Sequence, residues 1–497
     1  MIRARAALGR RLAEARKAAG YTQESLAPLT HYVRSTIANV ERGRQSIGRD
    51  FWIRCDEILR TDGELTRGYD VIRMLSLKSP VTAPPPSRAA DICLPTRRQP
   101  PPSETSLSLL DPASAGECFG SQTLANGLWA PAGRFFPGLA IPAHVHNATS
   151  DGDQVLATVP AGYHDAPLLR GPHRGLVIGR TEADQGVRLF GLDARHARRR
   201  LAHAGPGARL PIPHAYQLDE LVLALLWAMS NLDEALLADD ALIERATSEL
   251  GVYERMSRSA VSRDLAADMT DVGMMWLGSA FCARHIRRHA DAFIDSPVYW
   301  TREQRGEEAS TWLLFTHKQK YLQATEVDPG HPGPVRVFCI PRTAVDDSPR
   351  GERILLLLAV ALIESHGIEV VITDEPEYAG TQGFVTDRDR HAVIATWVGA
   401  QGIWYVDVTD DRRTIRGYDD DAQHAAGRSI IAAAASPQRL RALADHLELD
   451  WKTLAQRCRD LADRGCAAVV QPRSRHLSTD GVDRACRYLA TAAVATD

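Results

Sequence analysis

Apolar residues recur at helical spacing from the start of the chain. Leu8, Leu12 and Ala15 share one face, which runs out near Gly20. Thr22 then offers an N-cap for a second helix, with Ser25 where a capping box carries Glu. On that helix Leu26 faces inward, and Ala27 is small where two helices must approach closely. After a short turn, Ile37 and Val40 supply the buried face of a third helix, which Gly43 closes. Arg34, Ser35, Thr36 and Asn39 are left on its opposite face, free to enter a groove. The pattern predicts short helices over residues 8–75 and an all-α, five-helix head spanning 1–78.

The rest of the chain predicts a mixed α/β body. Residues 79–108 are rich in Pro and Arg without periodicity, the composition of a linker. Short apolar stretches broken by Gly and Pro predict a small β-rich region over 109–215. The pattern turns helical over 216–328, where Leu218, Leu221, Leu225 and Ala228 share a face and Ala283, Ile286 and Ala290 recur at helical spacing. A strand at Val335–Ile340, a helix ended by Gly367 and a strand at Ile368–Asp374 form a βαβ unit, and strands over 390–398 and 403–408 extend it into an α/β domain over 333–415. Residues 436–497 are helical again. There a helix over Arg439–Leu447, a cap at Asp450, a helix ended by Gly465, an apolar strand and basic Arg473 and Arg475 resemble a winged helix of the MarR-like kind. Leu454 and Leu461 suit a packed terminal helix equally well, and both readings stand.

Composition narrows the class. At 497 residues the chain exceeds a single core and predicts several domains. A hydrophobic fraction of 44% and a charged fraction of 24% are those of a globular protein. The net charge of -3 is unevenly spread: residues 1–78 carry an excess of about six positive charges, leaving the remainder acidic by about nine. Eight scattered cysteines without a CxxC pair read as reduced cytoplasmic thiols. The Arg-rich start lacks the apolar core of a signal peptide, and the longest apolar runs, Ile354–Ile363 and Leu221–Met229, are too short to span a bilayer. A cytoplasmic protein with no membrane contact is expected. Arg outnumbers Lys about tenfold, a bias that resembles proteins of high-GC bacteria such as actinomycetes.

The stretch TQESLAPLTHYVRSTIANVERGR resembles the lambda-repressor/Cro-like family, the XRE-type helix-turn-helix, over about residues 8–70. The resemblance implies a transcriptional regulator that binds double-stranded operator DNA as a homodimer, because one such module contacts too few bases for useful selectivity. By position it implies that Thr22 and Gln23, at the start of the second helix, meet DNA, Gln23 binding a phosphate beside that helix's N-terminal amides. Arg34 and Ser35 would open the recognition helix and read base edges, with Thr36 beside them and Asn39 one turn on. Val33 would touch thymine methyls, and Arg42 and Arg44 would anchor backbone phosphates. Arg16 and Glu41 match the family's internal ion pair. Three positions depart from the pattern: His31 replaces the usual turn Gly, Val33 replaces an N-cap Ser, and Pro28 would shorten or kink the second helix.

Weaker signals lie in the body. His144 and His146 have the spacing of a cupin-like metal pair but lack the downstream carboxylate, and read as loop histidines. His285 and His289 lack the Glu of HExxH and read as a solvated basic helix face. The LLFTHKQKYL segment is similar to decayed phospholipase D-like folds, yet His317 is followed by Lys318 and Lys320, so the HxK spacing of a phosphohistidine nucleophile is missing. Asp374, Glu375 and Glu377 stand at a strand end, where α/β folds bind ligands. No P-loop, dinucleotide fingerprint, GxSxG or kinase signature occurs. The expectation is a regulator without catalytic residues, cofactor or metal, whose body dimerises and senses a small-molecule or protein effector. The alternatives are an enzyme with a DNA-binding head and a degenerate phospholipase D-like body, and an antitoxin or scaffold.

Overall fold

The computed structural model describes residues 2–30, 37, 40–41, 49–61, 63–69, 125–183, 186–202, 209–290, 293, 297–325, 333–387 and 390–494. The expected linker at 79–108 lies outside the described residues. The chain divides into two units, Met1–Pro101 and Pro102–Asp497. The first is helical: α1 (Ile2–Ala18), α2 (Gln23–Leu29) and α3 (Arg49–Leu59) are joined by helical residues at 37, 40–41 and 64–69. Leu8, Leu12, Leu26, Ile37, Val40 and Phe51 meet in its small core. The leucines, Ile37 and Val40 of the 3.6-residue pattern are buried, and Ala15 is half-buried against them.

The second unit contains two sheets. In the first, the strands run in the order β5 (Gly186–Asp193), β4 (Leu176–Ala183), β2 (Leu139–Asp151), β3 (Gln154–Thr158), β6 (Arg209–Pro213), with β1 (Ala125–Ala130) also on β2. The 13-residue β2 is long enough to pair β1 and β4 along its first part and β3 along its last four residues. Its inward side chains Ile141, Ala143 and Val145 alternate with outward ones, the period of a half-buried strand. Asp193, at the end of β5, caps the short helix α4 (Ala194–Leu201) through the Arg195 amide at 2.9 Å.

A 30-residue helix, α5 (Glu220–Glu249), follows, and its first half is buried on every side. With its continuation to Arg255 it is long and apolar enough to cross a membrane by length and composition, which the nine-residue run Leu221–Met229 did not suggest. Its apolar window is 78% buried by the surrounding protein, which is how a core helix hides an all-round apolar surface.

The second sheet runs β10 (Glu369–Thr373), β9 (Val335–Cys339), β8 (Val298–Thr301), β11 (Phe384–Asp387), β12 (His391–Thr396), β13 (Trp404–Thr409), β7 (Arg258–Val261). β8, β9 and β10 are parallel and the remaining pairs antiparallel. One face carries α6 (Asp271–Arg288), α7 (Gly306–Leu314), α8 (Thr316–Ala324) and the leucine-rich α9 (Arg350–Glu364); the other is covered by α10 (Arg412–Gly427) over Trp300, Val337 and Phe384. The expected βαβ unit is β9–α9–β10. The segment 216–328, expected to be a helical region, supplies β7 and β8 to this same sheet. Each is four residues long, too short for alternation to register in the sequence.

The C-terminal α11 (Ser436–His446), α12 (Trp451–Arg464) and α13 (Asp480–Val494) pack on α9 and on one another. Asp450 caps α12 through the Thr453 amide at 3.1 Å and Gly465, at φ 72°, ends it. No strand follows: residues 465–479 hold a single helical turn and one isolated bridge, Phe315 with Leu477. The winged-helix alternative is thereby corrected. Arg473 is buried on an ion cluster instead of being displayed, and Arg475 bonds Asp240 and Glu244.

Two polar devices hold the body's pieces together. Glu307, fully buried on α7, accepts from the amides of Arg134 (2.8 Å), Phe135 (2.8 Å) and Phe136 (2.6 Å), pinning the β1–β2 connection. Asp193 accepts two bonds from Arg473 (2.9 and 2.8 Å) and one from Arg174 (3.2 Å). Arg174 also pairs with Asp233 of α5, which accepts the amides of Arg473 (2.9 Å) and Ser474 (3.0 Å). Replacing Asp193 by Ala leaves Arg473 buried without its carboxylate. We expect a loss of about 3–5 kcal/mol, read as a lowered denaturation midpoint. A midpoint equal to the native one would show the cluster to be energetically neutral.

Candidate nucleic-acid interface

The head fixes the helical segment of Ile37, Val40 and Glu41 against its first two helices. At Gly9, α1 passes so close to this segment that a Cβ would lie 2.3 Å from the Val40 carbonyl oxygen, an approach only glycine permits. Thr22 and Ser25 close the start of α2 reciprocally. The Ser25 amide donates to Thr22 Oγ1 at 3.0 Å, and the Thr22 amide donates to Ser25 Oγ at 2.9 Å. Serine thus performs the return bond for which a capping box uses Glu. α2 is seven residues long and continues one residue beyond Pro28, and the Thr30 amide bonds Leu26 O at 3.1 Å.

Glu41 is the anchor of the helical segment that also holds Ile37 and Val40. Arg16 of α1 grips it with two bonds, Nε to Oε1 at 2.5 Å and Nη2 to Oε2 at 3.1 Å, while its Nη1 donates to Tyr21 O at 2.7 Å. Gln23 of α2 donates from Nε2 to Glu41 Oε2 at 2.6 Å. The Arg16 and Glu41 side chains are only 8% and 7% exposed. Three helices therefore converge on one carboxylate, and the planar guanidinium fork sets their mutual angle.

Of the residues expected to meet DNA, the structure describes Thr22 and Gln23. Both serve the scaffold in these contacts: Thr22 caps α2, and the Gln23 amide, expected on a phosphate, is held on Glu41. Val33, Arg34, Ser35, Thr36, Asn39, Arg42 and Arg44 lie outside the described residues, as does His31.

Asp56 is a residue that sequence reasoning missed. From α3 it accepts the amides of Leu65 (3.0 Å) and Thr66 (2.8 Å), together with the hydroxyls of Thr66 and Thr61. It thus caps helix 64–69 from a distance, and the only sequence trace is the pair of threonines five and ten positions on. Burial opposes ionisation of Asp56, but these hydrogen bonds outweigh it and hold the carboxyl below the ordinary value. Beside it, burial and then the neighbouring Asp56 and Glu41 push the Cys55 thiol up to about 12, an inert group.

The body's candidate residues sit otherwise than expected. His144 and His146 lie within β2, not a loop. His144 Nδ1 is 2.9 Å from the Tyr163 hydroxyl, and burial pushes His146 down to about 4. His285 belongs to no solvated face: it is 1% exposed, stacks on Phe281, and is pushed down to about 4 by burial, His289 and Arg288. His317 is half-buried with Nε2 at 2.9 Å from Ser279 Oγ. The ligating atoms of Glu375, Glu377 and His424 lie within 4.8 Å of one another, but Arg428 donates to Glu375 at 2.6 Å and neutralises it.

Residues 7–67 match the family model of a helix-turn-helix domain, and this head is a helix-turn-helix DNA-binding domain. No curated protein and no solved structure matches the chain.

Arg16→Ala leaves the Glu41 carboxylate buried and half-satisfied. It should cost about 3–5 kcal/mol, seen as faster hydrogen exchange of the α1 and α2 amides; unchanged exchange would refute the lock. Because the Asp56 value is depressed in the folded head, its contribution is complete above about pH 4 and falls away as pH drops through the lower folded value. Asp56→Asn should therefore weaken helix 64–69 by about 1–3 kcal/mol at neutral pH and flatten the acid limb of its exchange protection. An acid limb as steep as in the native protein would exclude Asp56 as its source.

Proposed function

We propose that the chain is a sequence-specific transcriptional regulator of the XRE type, acting in the cytoplasm as a homodimer on a near-palindromic operator. The observation that carries this reading is the helix-turn-helix match over 7–67, joined to the Arg16–Glu41–Gln23 lock that sets the recognition segment on two other helices. The basic excess of residues 1–78 supports it by favouring association with a polyanion. In this reading Arg34, Ser35 and Asn39 read base edges, while Arg42 and Arg44 hold phosphates. Arg supplies a bidentate donor pair for guanine, and Asn a donor and acceptor for adenine. Gln23 acts through Glu41, keeping the recognition helix in register. The body has no catalytic part in this reading; it dimerises and senses an effector.

Selection of operator sites from random DNA tests the assignment. Arg34→Ala and Asn39→Ala should each cost about 1–3 kcal/mol at one base position and relax preference there. Arg44→Ala should weaken all sequences alike and lower the salt slope by about one. Unchanged site preference in both recognition-helix variants would overturn the reading.

A further inference from the structure

The second sheet carries a cavity of about 60 Å³ on the face beneath α6, α7 and α8. It lies where parallel pairing gives way to antiparallel, between β8 and β11. Aromatic side chains of that face wall it: Tyr299 of β8, Trp312 of α7, Tyr321 of α8 and Trp397 beyond β12. Half-buried Arg302, Trp397 and Val398 form its rim. By the same measure one water takes about 10–15 Å³, so the space holds about four to six such groups. That is the size of a small oxyanion.

Arg336 of β9 lines this cavity and is 4% exposed. Its guanidinium lies 4.6 Å from the Tyr299 ring centroid and 4.8 Å from that of Trp312. Nη1 donates to Thr301 Oγ1 at 2.9 Å. Nε and Nη2, the two donors that point the same way along one edge of the fork, are buried without a hydrogen-bond partner. The Tyr321 hydroxyl stands beside the guanidinium and interacts with it without a well-formed hydrogen bond.

The other buried arginines among the described residues each have a carboxylate: Arg16 has Glu41, Arg174 has Asp193 and Asp233, and Arg439 has Glu364 at 2.7 Å. Arg336 has hydroxyl and ring partners only. A guanidinium cannot shed its proton to escape burial, so this arrangement is expensive unless an anion meets the free edge. The remaining charges agree. Lys318 is matched by Glu303 at 2.6 Å, and Arg302 adds a further cation at the rim, with Glu303 and Glu308 near it.

We propose that this cavity binds a small oxyanion, a carboxylate or phosphate group, with two of its oxygens accepting from Nε and Nη2 of Arg336. Planar carboxylate and tetrahedral phosphate both present two oxygens at the spacing of that edge. The aromatic walls exclude water around the pair and hold the guanidinium plane fixed. The site is a property of the body alone and stands or falls independently of DNA recognition.

The test titrates the full-length protein with inorganic phosphate, with acetate, and with chloride at matched ionic strength, following tryptophan fluorescence and thermal midpoint. Trp312 and Trp397 line the cavity and report on it. A saturable change with phosphate, acetate or both, absent with chloride, is the expected result, and the tighter of the two names the headgroup. Arg336→Lys and Arg336→Gln should weaken it at least tenfold, the lysine variant because it keeps the charge and loses the fork. Ala283→Leu fills the cavity while leaving Arg336 in place, and should abolish the response even if the Arg336 variants fail to fold. A response equal to that of chloride, or one that persists in Ala283→Leu, would overturn the proposal.

Discussion

The body depends on a buried cluster of balanced charge. Arg174 lies just before β4, Asp193 ends β5 and begins α4, Asp233 sits within α5, and Arg473 belongs to the C-terminal segment. Four distant parts of the chain are thus joined by bonds whose geometry allows little slack. Such a cluster need not add net stability, because desolvating four ions offsets much of their attraction. What it imposes is selectivity among packings: an apolar replacement tolerates sliding, whereas a guanidinium out of place leaves a buried charge unmet. It also accounts for the absence of a wing between α12 and α13. The amides of Arg473 and Ser474 are committed to Asp233 and cannot enter a ladder.

Much of the architecture was legible where a period could repeat. The head's buried faces, the α9 helix and strands β9, β10, β12 and β13 follow from spacing alone, because each has enough turns or alternations to define a side. β7, β8 and β11 were not legible. Arg258–Val261, Val298–Thr301 and Phe384–Asp387 have four residues each and gain strand character from their neighbours' hydrogen bonds. β2 was blurred for another reason. Pro142 lies inside it opposite Gly127, and proline in an apolar stretch argues against a central strand. Such positions are decided by what arrives from far along the chain.

The interface was legible to a different depth. Thr22 and Ser25 are three residues apart, and their local reciprocity could be read directly. Arg16 and Glu41 are 25 residues apart, and only the family resemblance joined them. Gln23, expected to face phosphate, was drawn to Glu41 because a buried carboxylate gripped on two sides still has acceptor capacity to satisfy. Gly9 left no trace and Asp56 only its pair of threonines, since a close helix crossing and a cap supplied from another helix have no sequence period. His285 shows the reverse error. HIRRH has the composition of a basic surface, yet Phe281 stacks on Trp404 at 3.9 Å and carries the histidine inward with it.

Arg336 and Lys318 line the same cavity and differ in how they could tolerate burial. An ammonium can be discharged by losing a proton, and burial does lower the Lys318 value while Glu303 opposes the shift. A guanidinium has no such exit. Lys318, which could become neutral, is nonetheless supplied with a carboxylate, at 2.6 Å. Arg336, which cannot, has a threonine hydroxyl and aromatic faces. Were the cavity only a packing feature, Glu303 would stabilise the protein more on the arginine than on the lysine. Its place on Lys318 keeps the bidentate edge of Arg336 free, and the neighbouring rings make that edge a strong donor in a medium of low dielectric. The pairing pattern therefore argues for recognition of an anion at Arg336 rather than for structure alone.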